Sequence, residues 1–243
     1  MPTVTDGFRR FLEDRKKGLP GADLIERYLE YDGLETQINA AKDNGEAVEG
    51  RRKTWTDGES TWFNIRIPKG ANDEPHFDDY ELRWAPEEHC EAIGSTGWDW
   101  KAKCSRYVGF DFDDITGHAK GVGISDDQLR EVEETAKALD YVEVRLSTGG
   151  KGIHLYVPLD EIPTNNHTEH AALARCILGM MSAEVNFDFA SAVDACGKVM
   201  WIWRRDITPA NQGLKLLKAA TRTLGVDDLP TNWRDHIDVV TRR

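Results

Sequence analysis

Between residues 106 and 189 the apolar positions switch between two periods, and each switch marks an element. Arg106–Asp113 alternates, with Phe110 and Phe112 to one side and Asp111 and Asp113 to the other, which predicts a strand. Ser125-Asp-Asp-Gln reads as a capping box, and it opens a helix whose Leu129, Val132, Ala136 and Leu139 share one stripe. Tyr141–Leu146 and Ile153–Val157 are predicted strands joined by the turn Ser147–Gly152. A helix over about His167–Ala183 carries Leu173, Ile177 and Met180, and Val185–Phe189 alternates again as a fourth strand. The order β-α-β-β-α-β is the split βαβ, ferredoxin-like unit, so the predicted class is α+β.

The flanks are less regular. Phe8–Lys17 and Ala22 to about Lys42 are predicted helices on either side of Gly18-Leu-Pro-Gly21, with Asp43-Asn-Gly45 as the stop. Residues 46–60 are polar, and short strands are expected over Thr61–Ile67 and Tyr80–Trp84. The expected division is an N-terminal helical and small α/β module over 1–105, a catalytic core over 106–206 and a C-terminal helical segment over 207–243. Neither a repeat nor a low-complexity tract is found. The chain ends in Thr-Arg-Arg without a closing element, so it is expected to be part of a longer replication protein.

Composition narrows the classes. At 243 residues and 40% hydrophobic content the chain can bury an ordinary core. No apolar run reaches the roughly 18–20 residues of a membrane span, and no secretory leader is visible. The four cysteines (Cys90, Cys104, Cys176 and Cys196) form no CxxC pair, which disfavours a disulfide framework. His89, Cys90 and Cys104 lack a fourth zinc ligand. A reduced, cytoplasmic setting is expected. The net charge of −12 opposes a nonspecific nucleic-acid binder, yet it is uneven. Residues 198–243 carry nine Lys/Arg against five Asp/Glu, which leaves room for a local groove for phosphates.

Candidate chemistry lies on the polar side of the predicted sheet. In the order fourth-first-third-second, Asp111 and Asp113 sit on a central strand, with Asp188 on one neighbour and His154 on the other. Asp111 and Asp113 are about 6–7 Å apart along the strand, and like charges that close call for a divalent cation. With Asp188 they form a candidate site for two Mg²⁺ or Mn²⁺ ions of the kind that serves phosphoryl transfer. The turn Ser147-Thr-Gly149-Gly150-Lys151-Gly152 offers backbone N–H groups and one charge to a triphosphate. The tryptophan pairs 98/100 and 201/203 fit core packing better than stacking on template bases.

Gly-Phe-Asp111-Phe-Asp113, Ser147-Thr-Gly-Gly-Lys151-Gly-Ile-His154 and Phe-Asp188-Phe, in that order, resemble the three-motif signature of the archaeo-eukaryotic primase superfamily. The likeness covers roughly residues 90–205 and points to its primase-polymerase members from phages, plasmids and mobile elements. It implies an RRM-like palm joined to an α/β module, with Asp111, Asp113 and Asp188 as catalytic and metal-binding carboxylates. Ser147, Gly149, Gly150, Lys151 and His154 are then expected to bind nucleotide, with Lys198 and Arg204 as basic contacts. Two departures stand out. Asp194, in Val-Asp-Ala, is a competing third carboxylate, and an Arg-x-x-Arg stretch found in many members is replaced by Lys198-Val-Met-Trp201 and Arg204-Arg205. The partners implied are a DNA template and primer strand, nucleoside triphosphates, and a replicative helicase domain or protein. The alternatives are a haloacid-dehalogenase-like phosphatase, loosely matched by Asp111-Phe-Asp113-Asp-Ile-Thr116, and a non-catalytic replication or nucleic-acid-binding module.

Overall fold

The computed structural model describes residues 20–29, 34–40, 49–51, 54–56, 61–68, 80–86, 90–113, 124–204 and 207–236. In chain order these form α1 (Ala22–Leu29), β1 (Leu34–Ala40), β2 (Glu49–Arg51), β3 (Thr54–Thr56), β4 (Thr61–Pro68), β5 (Tyr80–Pro86), β6 (Cys90–Asp99) and β7 (Cys104–Phe112). There follow α2 (Asp126–Lys137), β8 (Glu143–Leu146), β9 (Ile153–Pro163), α3 (His167–Val185), β10 (Ala195–Cys196), β11 (Met200–Arg204) and β12 (Leu216–Lys218). It is a mixed α/β architecture on an antiparallel sheet. The described strands run β12-β8-β9-β7-β6-β1-β2-β4-β3, with β10 on β7, β11 on β6 and β5 on β4.

Around the site the strand order is β10-β7-β9-β8, each neighbour antiparallel. One face of these strands makes the core. Phe110, Phe112, Val142, Val144, Ile153, Leu155 and Val157 pack there against Leu129, Val132 and Ala136 of α2 and Leu173, Ile177 and Met181 of α3. Burying each large side chain of this set contributes roughly 1.5–3 kcal/mol. The capping box at α2 is present: Gln128 N donates to Ser125 Oγ at 3.3 Å, and Ser125 N to Gln128 Oε1 at 3.0 Å. At the other end, Lys218 Nζ donates to the carbonyls of Leu139 and Val142, the latter at 2.7 Å, which ties β12 to the exit of α2. None of the described helices is long and apolar enough to cross a membrane.

Three sequence expectations are corrected. The helix from Ala22 stops at Leu29, and Leu34–Ala40 is a strand between β2 and β6. Leu34, Thr36, Ile38 and Ala40 alternate with polar residues, a sequence pattern that suits a half-buried strand. Val185–Phe189 is no strand either. The helix α3 continues through Val185, Asn186 closes it in the left-handed conformation (φ 52°), and Phe189–Ser191 forms a 3-10 turn. Phe187 and Phe189 alternate because both anchor this helix end. Their rings meet edge-on at 4.8 Å, and Phe189 packs on Phe112 at 6.1 Å. The strand beside β7 is Ala195–Cys196 instead. The C-terminal segment is less helical than expected: its described part holds β12 and two 3-10 turns, Val226–Asp228 and Trp233–His236. The helix expected over Phe8–Lys17 lies outside the described residues.

Candidate metal and nucleotide site

The polar side of the sheet is less open than the alternation suggests. Glu143, Arg145, His154 and Tyr156 are all buried. Tyr156 Oη lies 3.4 Å from Trp201 O, and a Cβ on Gly109 would collide with the Met200 side chain, so β11 covers part of this face. The half-open corner is at the end of β7, where Asp111 and Asp113 lie.

Asp194 joins them. Its N–H donates to Asp111 O at 2.8 Å, and Ala195 then pairs with Asp111. Asp111, Asp113 and Asp194 each present a carboxylate oxygen, all within 4.8 Å of one another. Asp188 lies outside this group: it is exposed, and its carboxylate accepts from Ser191 N at 3.3 Å as the cap of the 3-10 turn. Asp111 Oδ1 is buried and accepts no hydrogen bond, with His154 Nε2 3.2 Å away outside bonding geometry. A buried carboxylate oxygen without a donor costs free energy unless a cation meets it. Three carboxylates form the hard-oxygen donor set that suits Mg²⁺ or Mn²⁺ rather than zinc. The residues therefore fit a divalent cation.

The glycine turn abuts this corner. Ser147 N donates to Gly152 O at 2.7 Å and Gly150 N to Ser147 O at 2.9 Å. Gly152 N donates to Ser147 Oγ at 2.9 Å, so the serine hydroxyl holds the turn closed. Gly150 needs its positive φ of 73°. A Cβ on Gly152 would strike Phe112 O and come within 2.8 Å of Asp113 Oδ1. Gly149 faces open space, and Lys151 is exposed with no polar partner among the described residues. His154 Nδ1 is 3.3 Å from Tyr156 Oη, which orients the ring toward Asp111.

The remaining candidates are dispersed. Lys198 is exposed just beyond β10, whereas Arg204 is half-buried on β11 opposite Ala92. The side chain of Arg205 and those of His89 and Cys90 lie outside the described residues. Cys104 is buried and free, and burial raises its thiol pKa. Trp98 and Trp203 are core residues, Trp201 is half-buried, and Trp100 is exposed beside Lys101. Sequence reasoning missed Arg145, which has no exposed surface and bonds Glu143 and Asp23. Asp194 was visible only as a competitor, because a two-residue strand carries no period.

No protein-family profile and no curated protein matches the chain. Among solved structures it is similar to the polymerase domain of Mycobacterium tuberculosis ligase D in complex with DNA. The identity is 17% and the TM-score 0.41, over 91% of this chain and 78% of that one.

Proposed function

We propose that the chain is a nucleotidyltransferase of the primase-polymerase kind, extending a nucleic-acid strand on a DNA template. The observation that carries this reading is the group Asp111, Asp113 and Asp194, with oxygens within 4.8 Å, set against a glycine turn that bears Lys151 and leads to His154. Phosphoryl transfer needs positioning and charge compensation more than covalent chemistry from the protein, and these residue types supply both. Asp111, Asp113 and Asp194 would hold Mg²⁺ or Mn²⁺, which when bound lowers the pKa of the attacking hydroxyl and offsets charge on the triphosphate.

The chain's own residues orient the reactants. Lys151 and the N–H groups of Gly149 and Lys151 would take the β- and γ-phosphate oxygens, and His154 would donate to the triphosphate from its place beside Asp111. The 3′-oxygen of the strand bonds to the α-phosphorus as the bond to the β-phosphate oxygen breaks, and pyrophosphate leaves. Lys198 and Arg204 are the proposed basic contacts to the template. The βαββ run from β7 to β9 with α3 and β10 would then act as an RRM-like palm. The test is template-dependent incorporation of labelled nucleotide with Mn²⁺. Replacing Asp111 and Asp113 by Ala together should abolish it with the fold intact; full activity in that variant would overturn the reading.

A further inference from the structure

Arg145 is charged and has no exposed surface. It stands across from His154, which in turn stands across from Asp111, so three adjacent strands present guanidinium, imidazole and carboxylate in one row. A buried guanidinium must have its charge matched and its donors filled. Its Nε donates to Glu143 Oε1 at 2.6 Å, Nη1 donates to Asp23 Oδ1 at 3.1 Å, and Nη2 also donates to Asp23. Arg27 Nη1 donates to Glu143 Oε2 at 2.9 Å, which completes a quartet of two acids and two bases between α1 and β8.

Neutrality needs only those carboxylates, yet Arg145 makes one bond more. Its Nη1 donates to Leu214 O at 3.0 Å. Leu214 belongs to segment 207–215, which folds over the glycine turn. Gln212 and Leu214 both have left-handed backbone, with φ of 56° and 60°, a conformation that costs non-glycine residues on the order of 1 kcal/mol each. Leu214 N donates to Ser147 O at 3.3 Å, and Leu146 N donates to Lys215 O at 3.0 Å. The fit leaves no slack: a Cβ on Gly213 would run into Thr148 O, and one on Gly150 into Asn211 O. The Leu214 side chain is fully buried against Gly21, where a Cβ would lie 2.7 Å from its own.

Strained backbone persists where its surroundings impose it. We infer that Arg145, braced by α1 through Asp23, is a positioning residue that clamps segment 207–215 onto the glycine turn. It thereby sets Lys151 and His154 relative to the carboxylates without touching substrate. The nucleotide's place in this cradle rests on the proposed nucleotidyl transfer; the mechanical coupling does not.

Three variants of the whole chain test it. Arg145→Lys keeps the charge and loses the Nη1 bond to Leu214 O together with the two-pronged contact to Asp23; Gly213→Ala pushes the segment off the turn and leaves the quartet alone; Asp23→Ala removes the brace at its half-exposed end. The first two should raise KM for the incoming nucleotide about tenfold, the scale of one charge-assisted hydrogen bond, with kcat and template affinity within about threefold of wild type. Asp23→Ala should raise KM about threefold. In all three, hydrogen exchange at 148–152 and 212–215 should accelerate together. Arg145→Lys that lowers Tm but leaves KM and turn exchange at wild-type values would make the quartet a structural staple and overturn the inference. If Arg145→Lys does not fold, the other two variants decide by the same measures. A wild-type chain that incorporates no nucleotide removes the proposed function, and turn exchange alone then decides the coupling.

Discussion

His154 Nε2 lies 3.2 Å from Asp111 Oδ1, across the antiparallel pair β7 and β9. The oxygen is buried and accepts no hydrogen bond, and the imidazole is buried too. A cation held by the carboxylates and an anion bound beside the ring would meet at this pair. His154→Ala should therefore weaken triphosphate binding about ten- to a hundredfold and leave single-stranded DNA binding unchanged. Separate titrations of nucleotide and DNA measure this. Unchanged nucleotide affinity would make the histidine purely structural.

The third carboxylate can be told apart by metal binding alone. Asp194→Asn should weaken Mn²⁺ binding at least about tenfold, because it removes one of three charged donors from a hard-cation site. Asp188→Asn should leave Mn²⁺ affinity within about twofold, since that carboxylate caps a 3-10 turn instead. Calorimetric titration with Mn²⁺ compares them directly. The opposite ranking would return Asp188 to the site.

Gly152→Ala inserts a methyl group between the turn and the end of β7, where it meets Phe112 O and Asp113 Oδ1. The expected result is loss of nucleotide incorporation by about a hundredfold or more, with a destabilisation of about 1–3 kcal/mol from overpacking. Gly179→Ala, on α3 and outside the site, is the control, because that position also faces open space. Chemical denaturation and incorporation rates on both variants check it. Equal behaviour of the two would show that the turn does not constrain Asp113.

His170 makes stability depend on pH. Its Nε2 donates to Thr96 O at 2.7 Å, so Nδ1 is the acceptor facing Ser105 Oγ at 2.8 Å. Burial holds the imidazole neutral and pushes its pKa down to about 4. The unfolded chain binds this proton below about pH 6.5 and the folded chain does not until about pH 4. Stability from this group is thus complete above about 6.5, falls as pH drops through that window and levels off below it, by about 3 kcal/mol in all. Urea unfolding from pH 7.5 to 4.5 should show the slope, and His170→Gln should flatten its upper part between about 6.5 and 5.5. Superimposable profiles for the two proteins would refute it.

Alternation along the chain determined a good deal. The inward Phe110 and Phe112, the capping box at Ser125, the α2 stripe and the hairpin through Ser147–Gly152 are each set within a few neighbouring residues, and all are where the pattern puts them. The order β7-β9-β8 follows from the same run of elements, whereas the strand on the other side of β7 does not. Tertiary structure alone decided which carboxylate stands third. Phe187 and Phe189 alternate equally well on a strand or at a helix end, and only packing on Phe112 selects the helix end and sends Asp194 to Asp111. It also decided what covers the polar face. Arg145 meets Asp23 across 122 residues of chain and Leu214 across 69. Local periodicity reports which side of its own element a residue takes. What lies on that side depends on where distant chain returns, and burial and pairing across the whole fold choose that.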